Sequence, residues 1–420
     1  MTKIQLQLSI FSLSILLVSI SSITSYIQNK IGIPVANTTM WWIINGIILY
    51  SFLLAKIYFF DKSQIKNMLF VQWYLLWNCF SVVHGMLIAE NYWDWKNLIA
   101  HAMALFIPIV AYAATNHNLM QYMLRFYITY TLPLFLVFAF MVTPDAYGFY
   151  LVPISFLMLF FPVLTTRWKL GLLAITLFVI TADLGARSNV IKFIVPVLFS
   201  LIYYGRIFIS KTLLEQLRKL LFIAPVLLFS LAVTDTFNIF KMQDYIDTEY
   251  SIVGVNADGE AMDDNLKADT RTFLYVENLY SAEKHDYWVM GRSPARGYDS
   301  LWFGADDPTG RWERAGCEVA ILNIFTWTGI VGVLLYLMVF YRASYLAINY
   351  SNNTFSQILG LFVAFRWMYA WVEDINYFTL TTVFLWMLIG LCYSKSFRAM
   401  NNKEVTSWVQ GIFNIKVNIK

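Results

Sequence analysis

Twelve apolar runs constrain this chain more than any other feature. They cover residues 4–27, 40–60, 68–88, 98–114, 121–141, 148–164, 170–184, 191–206, 219–235, 317–341, 354–373 and 376–394. A run of about 20 apolar residues crosses the hydrocarbon core of a bilayer as a helix. Composition points the same way. Of 420 residues, 59% are hydrophobic and 13% charged, against roughly 45–50% and about 25% in soluble domains. A water-soluble chain could not hide that much apolar surface. The expected fold is therefore all-α and integral to the membrane, with about twelve transmembrane helices. A disordered chain, a nucleic-acid binder and a disulfide scaffold are excluded. Cys79, Cys317 and Cys392 are odd in number and show no metal-ligand spacing. The runs 148–164 and 170–184 are short for spans. Lys3 ahead of the first run has the look of a signal peptide's flank, but that run is too long for such a segment and further spans follow.

Orientation follows from the basic residues of the short loops. With the N-terminus inside, seventeen Lys and Arg residues fall on the inner side, among them Lys62, Lys66, Arg167, Arg206 and Lys395. Only Lys30, Lys96, Arg187 and Lys192 fall in short outer loops. That is a positive-inside bias, and it puts both termini in the cytoplasm. Trp41, Trp42, Tyr92, Trp93 and Trp95 fall at outer interfaces as an aromatic belt. The chain then divides into helices one to nine (1–235), an exterior loop (236–316), helices ten to twelve (317–394) and a basic tail (395–420). Residues 405–417 of the tail are weakly amphipathic, which suits attachment to anionic lipid.

The exterior loop is polar and acidic. Residues 253–265 hold turn chemistry at Asp258-Gly259. Calcium-loop spacing fails there, so a solvated hairpin or a mobile loop is expected. Residues 270–284 read as a helix, from an apolar stripe of Phe273, Leu274, Val276, Leu279 and Tyr280. It is expected to lie on the membrane or to cap a cavity in it. Residues 291–304, GRSPARGYDSLWFG, place Arg292 and Arg296 in a rigid turn. Guanidinium forks suit phosphate or anionic sugar. Salt-bridging to Asp299, Asp306 or Asp307 is the other reading.

Ionisable residues in or against spans are costly, so each marks a possible site. Asp183 and Arg187 flank the turn between spans seven and eight. Glu318 opens span ten, with Arg314 four residues earlier as a possible ion-pair partner. Arg366 lies inside span eleven, and Glu373 seven residues on falls on the same helix face. His84, Glu90 and His101 are further candidates, though a lone membrane histidine more often bonds between helices.

This arrangement resembles the O-antigen polymerase and O-antigen ligase family of bacterial polytopic membrane glycosyltransferases. Topology carries most of the likeness: twelve spans, both ends inside, and a large periplasmic loop between helices nine and ten. Three short stretches add to it. The family has an arginine in a Ser-Arg-small context at the exterior turn before a helix, and GARSNVIKF offers Arg187 there. DTRTFLYVENL matches a loop arginine that opens a helix, here Arg271. CEVAILNIFTWTGIVG keeps the family's helix and its two glycines, Gly329 and Gly332, with Glu318 where the family has histidine.

The resemblance implies a donor oligosaccharide on undecaprenyl diphosphate and inverting, metal-independent glycosyl transfer in the bacterial inner membrane. No cofactor is implied. Arg187 and Arg271 would stabilise the departing diphosphate, with Arg292, Arg296 and Arg314 as weaker substrate-binding positions. Glu318 would act on the acceptor hydroxyl. Losing the histidine favours a polymerase of O-antigen, capsular or exopolysaccharide repeats over a ligase to lipid A-core. Other polysaccharide-assembly proteins are implied partners, besides membrane lipid. A lipid-linked oligosaccharide flippase and a non-catalytic assembly protein are the competing readings.

Overall fold

Small polar side chains ahead of apolar runs start many of the helices. The computed structural model describes residues 3–32, 37–182, 187–234, 236–241, 251–255, 261–265 and 271–413. Helices α1 (Lys3–Ser21) and α2 (Thr24–Ile31) lead to α3 (Thr38–Phe59), where the Asn37 side chain accepts from the Met40 N–H. After α4 (Leu69–Ile88), Asn91 caps α5 (Tyr92–Phe106) by accepting from the Trp93 and Asp94 N–H groups. Such oxygens satisfy donors that have no partner inside the first turn.

Prolines then interrupt the ladder, because proline has no N–H to give. Pro108 precedes α6 (Val110–Ala114). Past α7 (His117–Phe126), a π turn at Tyr127–Thr131 runs into α8 (Leu132–Phe138), which holds Pro133. The chain bends by 56° between α9 (Tyr147–Tyr150) and α10 (Val152–Leu157). Helices α11 (Thr166–Ala182), α12 (Arg187–Ser200) and α13 (Lys211–Val233) follow.

Strands β1 (Ser251–Val255) and β2 (Ala261–Asn265) pair antiparallel with Val255 opposite Ala261, which agrees with the expected hairpin. Helix α14 (Thr272–His285) also falls where the apolar stripe placed it. Strands β3 (Tyr298–Asp299) and β4 (Glu313–Arg314) pair antiparallel. The chain ends in α15 (Ala320–Asn349), α16 (Thr354–Tyr369), α17 (Leu380–Tyr393), α18 (Lys395–Ala399) and α19 (Asn402–Phe413).

The molecule is 77% helical. All twelve apolar runs fall on helical structure, yet fewer make a long straight helix. Among the described residues, five stretches are long and apolar enough to cross a membrane: Leu8–Ile31, Thr38–Phe59, Tyr92–Ala114, Lys211–Val233 and Ala320–Asn349. Six result if the bent pair over 144–163 is one span. Helix α17 is innermost, with every residue buried. Helices α3 and α13 lie outermost and expose Ile43, Ile47, Ile57, Leu220 and Ile223. Apolar side chains facing outward in this number fit contact with lipid.

Helix α15 is broken. Gly329 has φ 66°, in the left-handed region, and so does Gly291 at φ 77°. The two glycines face each other. A Cβ on Gly329 would overlap the Val289 carbonyl, and one on Gly291 would overlap the backbone at Thr328. The segment around Gly291 takes over the bonds the break leaves open. Ile330 N–H donates to Trp288 O at 2.9 Å, and Arg292 N–H donates to Thr326 O at 2.8 Å. The Trp77 indole N–H donates to Thr328 O at 2.8 Å. Irregular backbone survives in a bundle only where protein satisfies it. The break lies about 14 Å below the start of α15 at 1.5 Å per residue. This part of the segment expected to lie outside therefore descends into the bundle.

The tail also differs from expectation. Val405, Trp408, Val409 and Ile412 of α19 are buried, and Arg125 Nε donates to Gly411 O at 2.9 Å. Protein, not open lipid, covers the apolar face of α19.

Candidate functional site

The loop joining α16 to α17, residues 370–379, docks on the start of α15. Ile321 N–H donates to Ala370 O at 3.1 Å and Ala320 N–H to Glu373 O at 3.3 Å. Asn376 Nδ2 donates to Ala320 O at 3.0 Å. These bonds satisfy helix-end groups and hold four ionisable residues together. Lys192 of α12 reaches Glu373 at 3.6 Å and lies 4.8 Å over the Phe149 ring. Arg366 is 2% exposed, and its Nε and Nη2 have no hydrogen-bond partner among the described residues. Its guanidinium lies 5.2 Å from the Tyr369 ring centre. The fourth is Asp374. Its Oδ1 accepts from Asn376 N–H at 2.9 Å, while its buried Oδ2 has no hydrogen-bond partner among the described residues. Burial pushes the Asp374 carboxyl up to about 7. The expected Arg366–Glu373 helix face is corrected here. Helix α16 stops at Tyr369, so Glu373 leaves the helix and turns to Lys192.

The outer rim comes from the segment between α13 and α15. Arg314 Nη2 donates to Glu318 Oε1 at 2.6 Å and Nη1 to Oε2 at 3.3 Å. Burial raises the Glu318 pKa, but the bonds from Arg314 outweigh it and the net shift is downward. Arg271 stands at the N-cap of α14 and donates from Nε to Val372 O at 3.2 Å. Its charge acts on both Glu318 and Tyr369. Thus Arg271, Arg314 and Glu318, far apart in sequence from residues 366–374, share one end of the bundle with them.

Beside Arg271 lies an apolar groove of about 220 Å³ between α13, α14 and the end of α16. Phe229, Tyr275, Val276, Met368, Tyr369 and Trp371 line it. Helix α14 forms one wall, and the Tyr275 hydroxyl donates to Trp371 O, joining two sides. Val372, the acceptor of Arg271, lies at its edge.

The other sequence candidates divide. Arg292 is held by Asp299 at 2.7 Å and Glu313 at 2.9 Å, and Arg296 is held by Glu313. The ion-pair reading named Asp299 but overlooked Glu313. Asp299 also receives Lys284 at 2.6 Å and His285 at 2.9 Å. Burial raises its pKa, and the three partners overcome that to bring it to about 2. His101 Nδ1 meets Pro294 O at 2.7 Å and the ring stacks on Trp327 of α15, so its hydrogen bond goes to the segment after α14 rather than to another helix. Buried His84 Nδ1 has no partner among the described residues, and Glu90 reaches Arg311 at 3.6 Å. Arg187 opens α12, but its side chain and Asp183 lie outside the described residues.

Sequence reasoning passed over Asp374 and took Lys192 as loop charge only. One signal was available for Asp374: it follows Glu373 between two apolar runs. For Lys192 the signal was its place five residues after Arg187 on one helix. No protein-family model, curated protein or solved structure matches this chain.

Proposed function

We propose that this chain polymerises oligosaccharide repeat units carried on undecaprenyl diphosphate, at the periplasmic face of a bacterial cytoplasmic membrane, through a twelve-span topology. One juxtaposition carries the proposal. An apolar groove, a guanidinium at its edge and two carboxylates lie together at one end of the bundle. An isoprenoid tail suits the groove, a diphosphate suits the guanidinium, and an acceptor hydroxyl suits a carboxylate.

In this reading a sugar hydroxyl of the acceptor loses its proton to a carboxylate. The oxygen attacks the anomeric carbon from the face opposite the diphosphate. The C–O bond to the diphosphate breaks, the lipid diphosphate leaves with the electron pair, and the anomeric centre inverts. Arg271, with Arg187, holds the growing negative charge, so the proposal includes no metal. Of the two carboxylates, Asp374 is the better base. Its free oxygen and its pKa of about 7 suit proton removal near neutrality. Glu318 is tied to Arg314 on both oxygens, and it serves to position that arginine.

The test is deletion of the gene in its own host, with envelope polysaccharide run on a gel. A ladder that collapses to one repeat on its anchor supports the polymerase. Bare core with polymer stranded on the lipid carrier means a ligase. A transport reading keeps some support from the break at Gly329 and the buried Lys192 and Arg366, features that also mark substrate paths. Repeats trapped on the cytoplasmic leaflet would select it. An unchanged pattern, with no redundant copy present, would remove glycosyl transfer.

A further inference from the structure

The bundle buries a charge that its own described residues do not satisfy. Arg366 is 2% exposed and Lys192 is 6% exposed. Among the described residues the carboxylate in contact is Glu373, 3.6 Å from Lys192, and its charge also acts on Arg366. The neighbouring Asp374 is turned to its own loop through Asn376. Arg218, another buried arginine, shows what a satisfied one looks like. Its Nε and Nη2 donate to the two oxygens of Glu215 at 2.9 and 2.7 Å, and Nη1 donates to Tyr341 O at 3.4 Å. The same edge of Arg366, Nε and Nη2, has no acceptor among the described residues.

Arginine cannot shed its proton to escape this. A buried charge with no hydrogen-bonded partner is destabilising, so the Arg366 edge suits an acceptor that the described residues do not supply. The shape of the edge names the class. Two parallel N–H groups grip two oxygens of an oxyanion. Lys192 adds a second positive charge, which favours a phosphate over a singly charged carboxylate. Tyr369 connects this place to the groove. Its ring lies beside the Arg366 guanidinium, and it also lines the apolar groove at whose edge Arg271 stands.

We infer that Arg366 and Lys192 form an internal oxyanion seat that takes a phosphate group, from a membrane-borne isoprenoid diphosphate or from free pyrophosphate. The lipid source rests on the glycosyl-transfer reading above; the seat does not.

The test is equilibrium binding to the purified full chain, with radiolabelled inorganic pyrophosphate and with undecaprenyl diphosphate in nanodiscs. Wild type is expected to bind at least one probe saturably. Arg366→Lys keeps the charge but loses the fork, and should weaken binding by about tenfold or more. Arg366→Met should abolish it. Lys192→Met should weaken it. Without ligand, Arg366→Met should unfold at the same temperature as wild type or higher, because it removes a buried charge whose Nε and Nη2 have no hydrogen-bond partner among the described residues. An arginine with a purely structural role predicts a lower one. Binding to the lipid alone assigns the seat to the carrier, and binding to both assigns it to phosphate generally. Failure of both probes to bind wild type, or undiminished binding by Arg366→Lys and Arg366→Met, overturns the seat. If the seat binds while deletion leaves the polysaccharide unchanged, glycosyl transfer falls and the seat stands.

Discussion

Three carboxylates at one end of this molecule differ because their neighbours differ. Asp299 is surrounded by Lys284, His285 and Arg292, Glu318 by Arg314, and Asp374 is buried within its own turn beside Glu373. Asp374→Asn keeps an oxygen for the Asn376 N–H, so the turn should survive while the base is lost. Polymer formation in membranes should fall by about a hundredfold or more. Glu318→Gln should cost less, and its residual activity should still rise as pH passes about 7. If Asp374→Asn retains the wild-type pH profile, Asp374 is not the base. Stability gives an independent check. The folded Asp374 pKa lies above its ordinary 3.8, so its neutral form favours folding. Its contribution is full below about 4 and is lost as pH rises through about 7. Asp299 has the opposite sign: its contribution is present above about 4 and lost as pH falls through about 2. Thermal unfolding in detergent across pH should show the first slope vanish in Asp374→Asn. The Arg314–Glu318 pair was legible in the sequence because four residues bring two side chains together locally. Asp374 was not, since its setting comes from α15, α16 and α17 at once.

At the scale of elements, helices and caps were legible and their interruptions were less so. Asn37, Asn91, Asn353 and Thr379 stand where apolar runs begin, and each caps a helix. The break in α15 is different. Gly329 reads as an ordinary membrane-helix glycine until Gly291, from a segment read as exterior, is found against it. Alanine at either position should destabilise the fold by roughly 3 kcal/mol or more, through positive φ and backbone overlap together. Lowered unfolding temperature and poor yield from membranes would show it, whereas Gly171→Ala, in open space, should behave as wild type. Helix α19 carries a similar lesson. Its amphipathic pattern was visible, but not what covers it. Trp408 is 5% exposed and donates from its indole to His117 O at 2.9 Å. Trp408→Ala should cost about 3–5 kcal/mol and loosen the helix to limited proteolysis.

For the whole molecule, charge asymmetry and apolar content set the expectations, and sidedness follows from them. Ser63→Cys and Leu301→Cys should react with an impermeant thiol reagent from opposite sides of sealed vesicles. Leu301 is 85% exposed, so access will not obscure the result. Labelling of both from one side would overturn the twelve-span topology. The sequence by itself determined that this chain is apolar, helical and membrane-suited, because those properties are sums over local residues. Period, capping and hydropathy act within about 20 residues and need no partner. Only the tertiary structure decided which charges meet. Lys192, Arg366 and Asp374 come from different elements, and Arg271 reaches Val372 across 101 positions of chain. A buried charge is defined by what surrounds it, and those surroundings are made by contacts between distant segments, which no local pattern encodes.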